Sequence, residues 1–122
     1  ANNSSNIGSS SRTPVSLSDA DINLMAAVMT LECGNESYEG QLAVANVILN
    51  RLQSGAWGST ISSVVYAANQ FSVVSDSRLQ GLIQNGAQAS CIQAARDACA
   101  GNNNIGDLMS FRPARYKYTW NL

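Results

Sequence analysis

The stretch ECGNESYEGQLAVANVILNRLQS, residues 32–54, determines how this chain folds. After Ser37, apolar residues recur at helical spacing and cover more than half of the circumference. Ser37 is a good N-cap, Glu39 lies in the first turn where the helix dipole favours negative charge, and Gly55 follows the last turn. The pattern predicts a helix over 37–54 at the centre of the core.

A second helix is predicted over residues 18–33, immediately before this stretch. Ser18 is its N-cap, two aspartates occupy its first turn, and Gly34 with Asn35 ends it. One face of this helix is an apolar stripe that Glu32 continues. The stripe consists of Ile22, Met25, Val28 and Met29.

The remaining segments predict a mainly α (α+β) domain. A short helix capped by Thr60 is expected over 60–68, although its β-branched residues also permit a strand. Residues 69–77 are expected to form a loop or a short strand. Further elements are predicted as helices near 78–85 and 87–100 and as short strands in DLMSF (107–111) and YKYTW (116–120).

Residues 1–17 are rich in Ser and Asn and nearly free of large apolar side chains before Val15. Such a segment buries too little surface to offset its ordering entropy, so we predict a flexible linker over 1–17 and a domain over 18–122. A linker feeding a small domain suggests a piece of a larger, exported protein, and we expect a monomer. No apolar run is long enough to span a bilayer.

The charge pattern and the absence of histidine restrict the possible functions. The net charge is −1 and no basic stripe is present, which gives nucleic-acid binding no electrostatic support. With no histidine in 122 residues, Ser-His-Asp and Cys-His catalysis are excluded, and so is nearly every catalytic zinc site. We therefore expect no metal and no cofactor, and any proton transfer must use carboxyl groups.

Three cysteines, Cys33, Cys91 and Cys99, are expected to be small buried apolar residues. Cys91 and Cys99 lie about 12 Å apart along one predicted helix, which is too far for a disulfide. At most one bridge, involving Cys33, is possible.

All three glutamates, Glu32, Glu36 and Glu39, lie within eight residues of each other. Glu32 is in the last turn of its helix, where the dipole and partial burial both raise a carboxyl pKa, as a general acid requires. The alternative is a solvated glutamate at a helix end. Glu39 belongs to the start of the next helix, and Glu36 caps it, pairs with an arginine or shapes the turn. Asp76 is a candidate second carboxylate, but a role in a turn is favoured.

Two segments resemble a bacterial cell wall hydrolase family, typified by the spore cortex-lytic enzyme SleB, with the motif E-A-x-G-E-x-Y-E-G-Q-x-A-V-A-x-V-I-L-N-R. The first segment matches through Glu32, Glu36, Tyr38, Glu39, Gly40, Gln41, Ala43, Val44, Ala45, Val47, Ile48, Leu49, Asn50 and Arg51. The second is similar to the family's T-I-x-x-V-V-Y-x-x-x-Q-F-S segment through Thr60, Ile61, Val64, Val65, Tyr66, Gln70, Phe71 and Ser72.

The resemblance implies a lysozyme-like fold with a short β hairpin next to the active groove, and a lytic transglycosylase acting on peptidoglycan glycan strands outside the cell, in the wall or the spore cortex. The family's single catalytic glutamate corresponds to Glu32. The implied substrate-binding residues are Glu36, Tyr38, Gln70, Phe71 and Ser72, although core packing is an equal alternative for Phe71.

Three other functions stay open on the sequence alone. A hydrolytic muramidase differs only in using water in place of the sugar's own hydroxyl. A catalytically silent peptidoglycan-binding module and a structural component of the spore or cell surface are the alternatives outside enzymes.

Overall fold

A computed structural model of the chain describes residues 10–67, 70–113 and 118–120. Its helices are α1 (Asp19–Cys33), α2 (Tyr38–Ser54), α3 (Ile61–Val65), α4 (Arg78–Asn85) and α5 (Ala89–Cys99), with a 3-10 helix at Ser72–Ser75. Its strands are β1 (Ser10–Ser11), β2 (Asn102–Asn103), β3 (Phe111–Pro113) and β4 (Tyr118–Trp120). Among these elements, no helix is both long and apolar enough to cross a membrane.

Helices α1 and α2 begin and end where the sequence predicts. The Ser18 hydroxyl accepts a hydrogen bond from the Asp21 amide at 3.1 Å, and the Ser37 hydroxyl accepts one from the Gly40 amide at 3.2 Å. Gly55, after α2, has a φ of 75°, a left-handed conformation that glycine adopts without steric cost. These local signals confirm both predicted helices.

Helix α2 is the centre of the core, as predicted. All nine residues from Gln41 to Leu49 are buried, and the helix packs against α1, α3 and α5. Helix α5 presents small side chains at Ala94, Ala95 and Ala98, each fully buried, which allow the two helix backbones to approach closely. The largest fully buried side chains are those of Met25, Met29, Ile48, Leu49, Ile61 and Leu79.

Residues 60–77 are more helical than the sequence suggests. Thr60 and Ser63 form a reciprocal capping box at the start of α3, so the helix prediction is confirmed and the strand alternative is wrong. The segment expected to form a loop or a short strand contains the 3-10 helix Ser72–Ser75.

Residues 10–17, in the predicted linker, contact the folded part of the chain. Strand β1 pairs with β2 antiparallel, with Ser10 opposite Asn103. Arg12 is 7% exposed, and its guanidinium donates to the Asn46 Oδ1 at 2.7 Å and to the Gln53 Oε1 at 2.7 Å. Asn46 is fully buried, and its Nδ2 donates to the Asn102 carbonyl at 2.9 Å. No pattern in the sequence of this segment predicts these contacts.

Strands β3 and β4 form an antiparallel hairpin in which Phe111 lies opposite Trp120 and Pro113 opposite Tyr118. This confirms the two short strands expected near the end of the chain, although the first one begins at Phe111 rather than at Asp107. The residues that connect them, 114–117, lie outside the described part.

Candidate active site around Glu32

Glu32 lies in the last turn of α1, one turn beyond the buried residues Val28 and Met29. Its side chain is half-buried, and burial raises the pKa of the Glu32 carboxyl above its ordinary value because the charged form loses hydration. A carboxyl group of this kind keeps its proton to higher pH than a solvated one. It can therefore donate a proton at a higher pH than a solvated glutamate and afterwards accept one.

Glu36 lies in the turn between α1 and α2, four residues after Glu32. Its amide donates to the Cys33 carbonyl at 2.9 Å, and its carbonyl accepts from the Gln41 Nε2 at 3.1 Å. The backbone of Glu36 is thus fixed at both polar atoms, while its side chain is partly exposed. The sequence permits Glu36 to cap α2, to pair with an arginine or to shape the turn. Its backbone hydrogen bonds correspond to the last of these roles.

Tyr38 is the first residue of α2, and its hydroxyl donates to the Asp97 carboxylate on α5. The other Asp97 oxygen accepts from the Gln93 Nε2 at 2.8 Å. Partial burial and the bond to Asp97 raise the pKa of the Tyr38 phenol, so it stays protonated. The Tyr38 residue is 37% exposed and ties α2 to α5.

The segment Gln70–Ser72 places its three residues in different environments. Phe71 is only 2% exposed and packs in the core, whereas Ser72 is exposed and Gln70 is half-buried. The Arg51 guanidinium lies 5.1 Å from the centroid of the Phe71 ring and 5.3 Å from that of Trp57. The observed packing favours the core alternative for Phe71, and any direct contact with a ligand requires the ring to become exposed.

Arg51 is a buried cation, and in the sequence it stands out only as part of the family motif. It is 4% exposed, its Nε donates to the Met109 carbonyl at 2.7 Å, and burial lowers the pKa of its guanidinium. With aromatic rings at Trp57 and Phe71, Arg51 joins α2 to the segments at 57, 71 and 109. The helical spacing of apolar residues along α2 does not predict these contacts of Arg51 with other segments.

A groove of about 730 Å³ lies between the end of α1 and α4. Its lining combines hydroxyl, amide and guanidinium groups with leucine and glycine and does not include Glu32. Such a lining suits a neutral polar ligand that needs many hydrogen bonds. The lining residues are Thr30, Leu31, Asn35, Arg78, Gly81, Leu82, Asn85 and Gly86.

A family model described as cell wall hydrolase matches residues 35–122. The chain belongs to the cell wall hydrolase family. The matched region includes α2, α5 and the hairpin. It begins three residues after Glu32 and therefore does not include that residue.

Two curated relatives of this cell wall hydrolase are spore cortex-lytic enzymes. The one from Bacillus cereus is 36% identical over 110 residues, which make up 88% of this chain and 41% of that protein. The one from Oceanobacillus iheyensis is 44% identical over 66 residues, 54% of this chain and 24% of that protein. The chain therefore spans less than half of the length of either relative.

A solved structure extends the similarity to the fold. The catalytic domain of the germination-specific lytic transglycosylase SleB from Bacillus anthracis superposes with a TM-score of 0.70 at 31% identity, covering 86% of this chain and 85% of that one. The mainly α, lysozyme-like fold expected from the resemblance is thereby confirmed.

The second carboxylate considered for this cell wall hydrolase, Asp76, has a structural role. Its Oδ1 accepts from the Arg78 amide at 2.8 Å, and its Oδ2 lies 2.7 Å from the Arg78 Nη2. These hydrogen bonds from Arg78 lower the pKa of Asp76 to about 2. Asp76 is therefore ionised at neutral pH and holds the start of α4, as the turn interpretation predicted.

The three cysteines are free and buried, which confirms the prediction that they are small core residues. The Cys33 and Cys91 side chains form a hydrogen bond that joins the end of α1 to α5. This bond, together with burial, raises the pKa of Cys33, and the same bond lowers the pKa of Cys91. The residue next to Glu32 is thus packed against α5.

Proposed function

We propose that this chain is a lytic transglycosylase that cleaves the MurNAc-β-1,4-GlcNAc bond of peptidoglycan with Glu32 as its single catalytic carboxyl group. The observation that carries the proposal is the position of Glu32, half-buried at the end of α1 with a pKa raised by burial. Membership of the cell wall hydrolase family and the similarity to the SleB catalytic domain support peptidoglycan as the substrate.

The proposed reaction conserves all atoms of the glycan. Protonated Glu32 donates its proton to the glycosidic oxygen as the bond from that oxygen to C1 of the muramic acid breaks. The Glu32 carboxylate then takes the proton from the C6 hydroxyl of the same sugar, whose oxygen forms a bond to C1. The products are a free GlcNAc 4-hydroxyl and a 1,6-anhydro-muramic end, and Glu32 has recovered its proton.

One carboxyl group suffices in this scheme because the nucleophile belongs to the substrate. Ordinary glycosidases need a second carboxylate to attack the sugar or to activate water. A hydroxyl held within the same sugar ring has a high effective molarity and replaces that group. The pairing of Asp76 with Arg78 is consistent with a mechanism that does not use it.

The remaining predicted site residues are proposed to contact the glycan or to shape its groove. Glu36 and Tyr38 lie beside the turn that follows Glu32, and Gln70 and Ser72 lie on the segment before α4. For Phe71, whose ring is buried, we propose an indirect role through packing beneath that segment. We also propose that the domain acts outside the cell, on the wall or the spore cortex, as a monomer without metal or cofactor.

Mass spectrometry of the muropeptides released from purified sacculi tests the reaction. We expect products with 1,6-anhydro ends, each lighter by one water than the corresponding product of hydrolysis. Products that carry the extra water would identify a hydrolytic muramidase. Binding to sacculi without release of any fragment would leave a peptidoglycan-binding module.

A matched pair of variants tests the role of Glu32. Glu32→Gln removes the proton donor but preserves shape, and we expect the initial rate of sacculus solubilisation to fall at least about 100-fold. Glu39→Gln is the control, since Glu39 is exposed in the first turn of α2, and we expect a rate within about twofold of the parent. If Glu32→Gln solubilises sacculi as fast as the parent, the assignment of Glu32 is wrong.

A further inference from the structure

We propose that Gln41 and Gln88 are positioning residues that hold the end of α1 and thereby fix the Glu32 carboxyl group for reaction. The inference rests on the proposed function of Glu32. Neither glutamine takes part in the reaction proposed above, and we do not propose that either of them contacts the substrate.

Both glutamines bind the same backbone atom, the carbonyl oxygen of Gly34. The Gln41 Nε2 donates to it at 3.3 Å and the Gln88 Nε2 at 3.0 Å. Gln41 belongs to α2, and Gln88 is the residue that precedes α5. The Gly34 carbonyl, two residues after Glu32, is therefore held both from α2 and from the residue that precedes α5.

Gln41 fixes more of the turn than this one atom. Its Nε2 also donates to the Glu36 carbonyl at 3.1 Å, so that one amide group spans the turn from residue 34 to residue 36. Gln41 is 3% exposed, and among the described residues its Oε1 is buried without a hydrogen-bond partner. An unpaired buried oxygen opposes folding. Both hydrogen bonds of the Gln41 side chain thus go to the turn, at residues 34 and 36.

Gln88 fixes the opposite side of the same helix end. The backbone amide of Gln88 donates to the Thr30 Oγ1 at 3.1 Å, and the Thr30 hydroxyl donates to the Ala26 carbonyl at 2.7 Å. Its Nε2 also donates to the Ser90 Oγ at 2.7 Å, which orients the side-chain amide toward Gly34.

Gly34 allows Gln88 to come this close. A Cβ atom at position 34 would lie 2.8 Å from the Gln88 Oε1 and 2.4 Å from the Thr30 carbonyl oxygen, so no side chain fits. Helix α1 therefore ends against the glutamine in a single packed arrangement. Glu32 and Cys33 lie inside the segment that is fixed at Thr30 and at Gly34.

A helix end needs such support if it carries a catalytic group. The last four carbonyls of a helix have no partner within it, so the last turn frays more readily than the interior. A displacement of about 1 Å at a reacting group can lower the rate by about 100-fold. The two glutamine amides supply partners at the turn that contains Glu32, and through the backbone they restrict where its carboxyl group can lie.

The test compares Gln41→Met and Gln88→Met with Asn50→Leu as the matched control. Methionine keeps the length of glutamine but donates no hydrogen bond. Asn50 lies in α2, nine residues after Gln41, and its Nδ2 donates to the Gly106 carbonyl at 2.9 Å and to the Leu108 carbonyl at 2.7 Å. The control thus removes two hydrogen bonds to carbonyl oxygens, as Gln41→Met does, without touching the last turn of α1 or the segment around Gln88.

The measurements are the solubilisation rate as a function of sacculus concentration and the Tm of each variant. For each Met variant we expect a maximal rate lower by about 10- to 100-fold, with the half-saturating sacculus concentration within about twofold of the parent. For Asn50→Leu we expect a comparable decrease in Tm but a maximal rate within about twofold. Gln88→Ala serves as a second variant if a Met variant does not fold, because Gln88 is half-buried and water can enter the space.

The outcomes separate this inference from the proposed function. If Glu32→Gln is inactive and the folded glutamine variants keep the parent's maximal rate, the positioning role is wrong and the role of Glu32 stands. If the glutamine variants lose no more activity than Asn50→Leu at equal Tm, the role is structural and the inference also fails. If Glu32→Gln is active, the proposed function itself fails.

Discussion

Glu32 and Asp76 are both carboxylic acids beside a helix terminus, yet their surroundings act on them in opposite ways. Glu32 lies at the end of α1 and is half-buried, and its pKa is raised because burial disfavours the charged form. Asp76 precedes α4 and accepts hydrogen bonds from Arg78, which lower its pKa to about 2. Glu32 therefore keeps its proton to higher pH than a solvated glutamate, and Asp76 keeps its charge to lower pH than a solvated aspartate.

This difference shows that a count of carboxylates in a sequence is a poor guide to a paired-carboxylate site. Arg78 follows Asp76 by two residues, so its backbone and its guanidinium both reach the same carboxylate. The pKa of Glu32 is instead raised by burial. The environment, and not the residue type, therefore shifts the pKa values of the two groups in opposite directions.

The largest effect is expected from moving each carboxyl group by one methylene. Glu32→Asp retracts the proposed acid along a fixed backbone, and we expect the solubilisation rate to fall by about 10- to 100-fold, because reacting groups tolerate little displacement. Asp76→Glu extends a carboxylate that only binds Arg78, and we expect a rate within about twofold. Equal losses in both variants would remove the distinction between the two sites.

A smaller effect, on stability, is expected from Glu32→Gln. Because the pKa of Glu32 is raised in the folded state, the folded protein binds more protons than the unfolded one above the ordinary glutamate pKa of about 4.3. The parent therefore loses stability as pH rises from that value through the raised pKa of the folded state, and the neutral glutamine does not. We expect a higher Tm for Glu32→Gln at pH 7 and an equal Tm at pH 3.5. A lower Tm at pH 7 would contradict the burial of an acid at this position.

The smallest effect, of opposite sign, is expected from Asp76→Asn. A lowered pKa means that Asp76 contributes stability above its ordinary value of about 3.9, and that this contribution is lost as pH falls through about 2. We expect Asp76→Asn to have a slightly lower Tm than the parent at pH 6, with the difference shrinking toward pH 2.5 and at high salt, since Arg78 is exposed. Calorimetry at both pH values measures it, and a difference that grows at low pH would be inconsistent with the ion pair.

The helices were predictable because their signals are local. Ser18, Ser37 and Gly55 act through bonds and dihedral angles within four residues of each helix end. The apolar stripe of α1 placed Glu32 correctly for the same reason, since its burial follows from helical spacing. In contrast, strands β1 and β2 contain only serine and asparagine, and a two-residue ladder has no alternation that a sequence could reveal.

The surroundings of Glu32 depended on long-range contacts, which a single sequence does not encode in its periodicity. The Tyr38 hydroxyl meets Asp97 and the Gln88 amide meets Gly34 across 59 and 54 residues, respectively. Glutamine at a helix start carries no pattern that separates it from a solvated residue. Phe71 was likewise ambiguous, because an aromatic residue in a short loop segment is equally compatible with a groove and with the core.

The hydrogen bonds of Asn46 with Arg12 and Asn102 have a consequence for how the chain reaches its native state. Arg12 and Asn102 lie 34 and 56 residues from Asn46, so their hydrogen bonds close long loops of the chain. Closing such loops costs entropy that nearby hydrophobic contacts must first offset. Helices α2 and α5 are therefore expected to pack before the segment around Arg12 docks, which makes that docking a late step of folding.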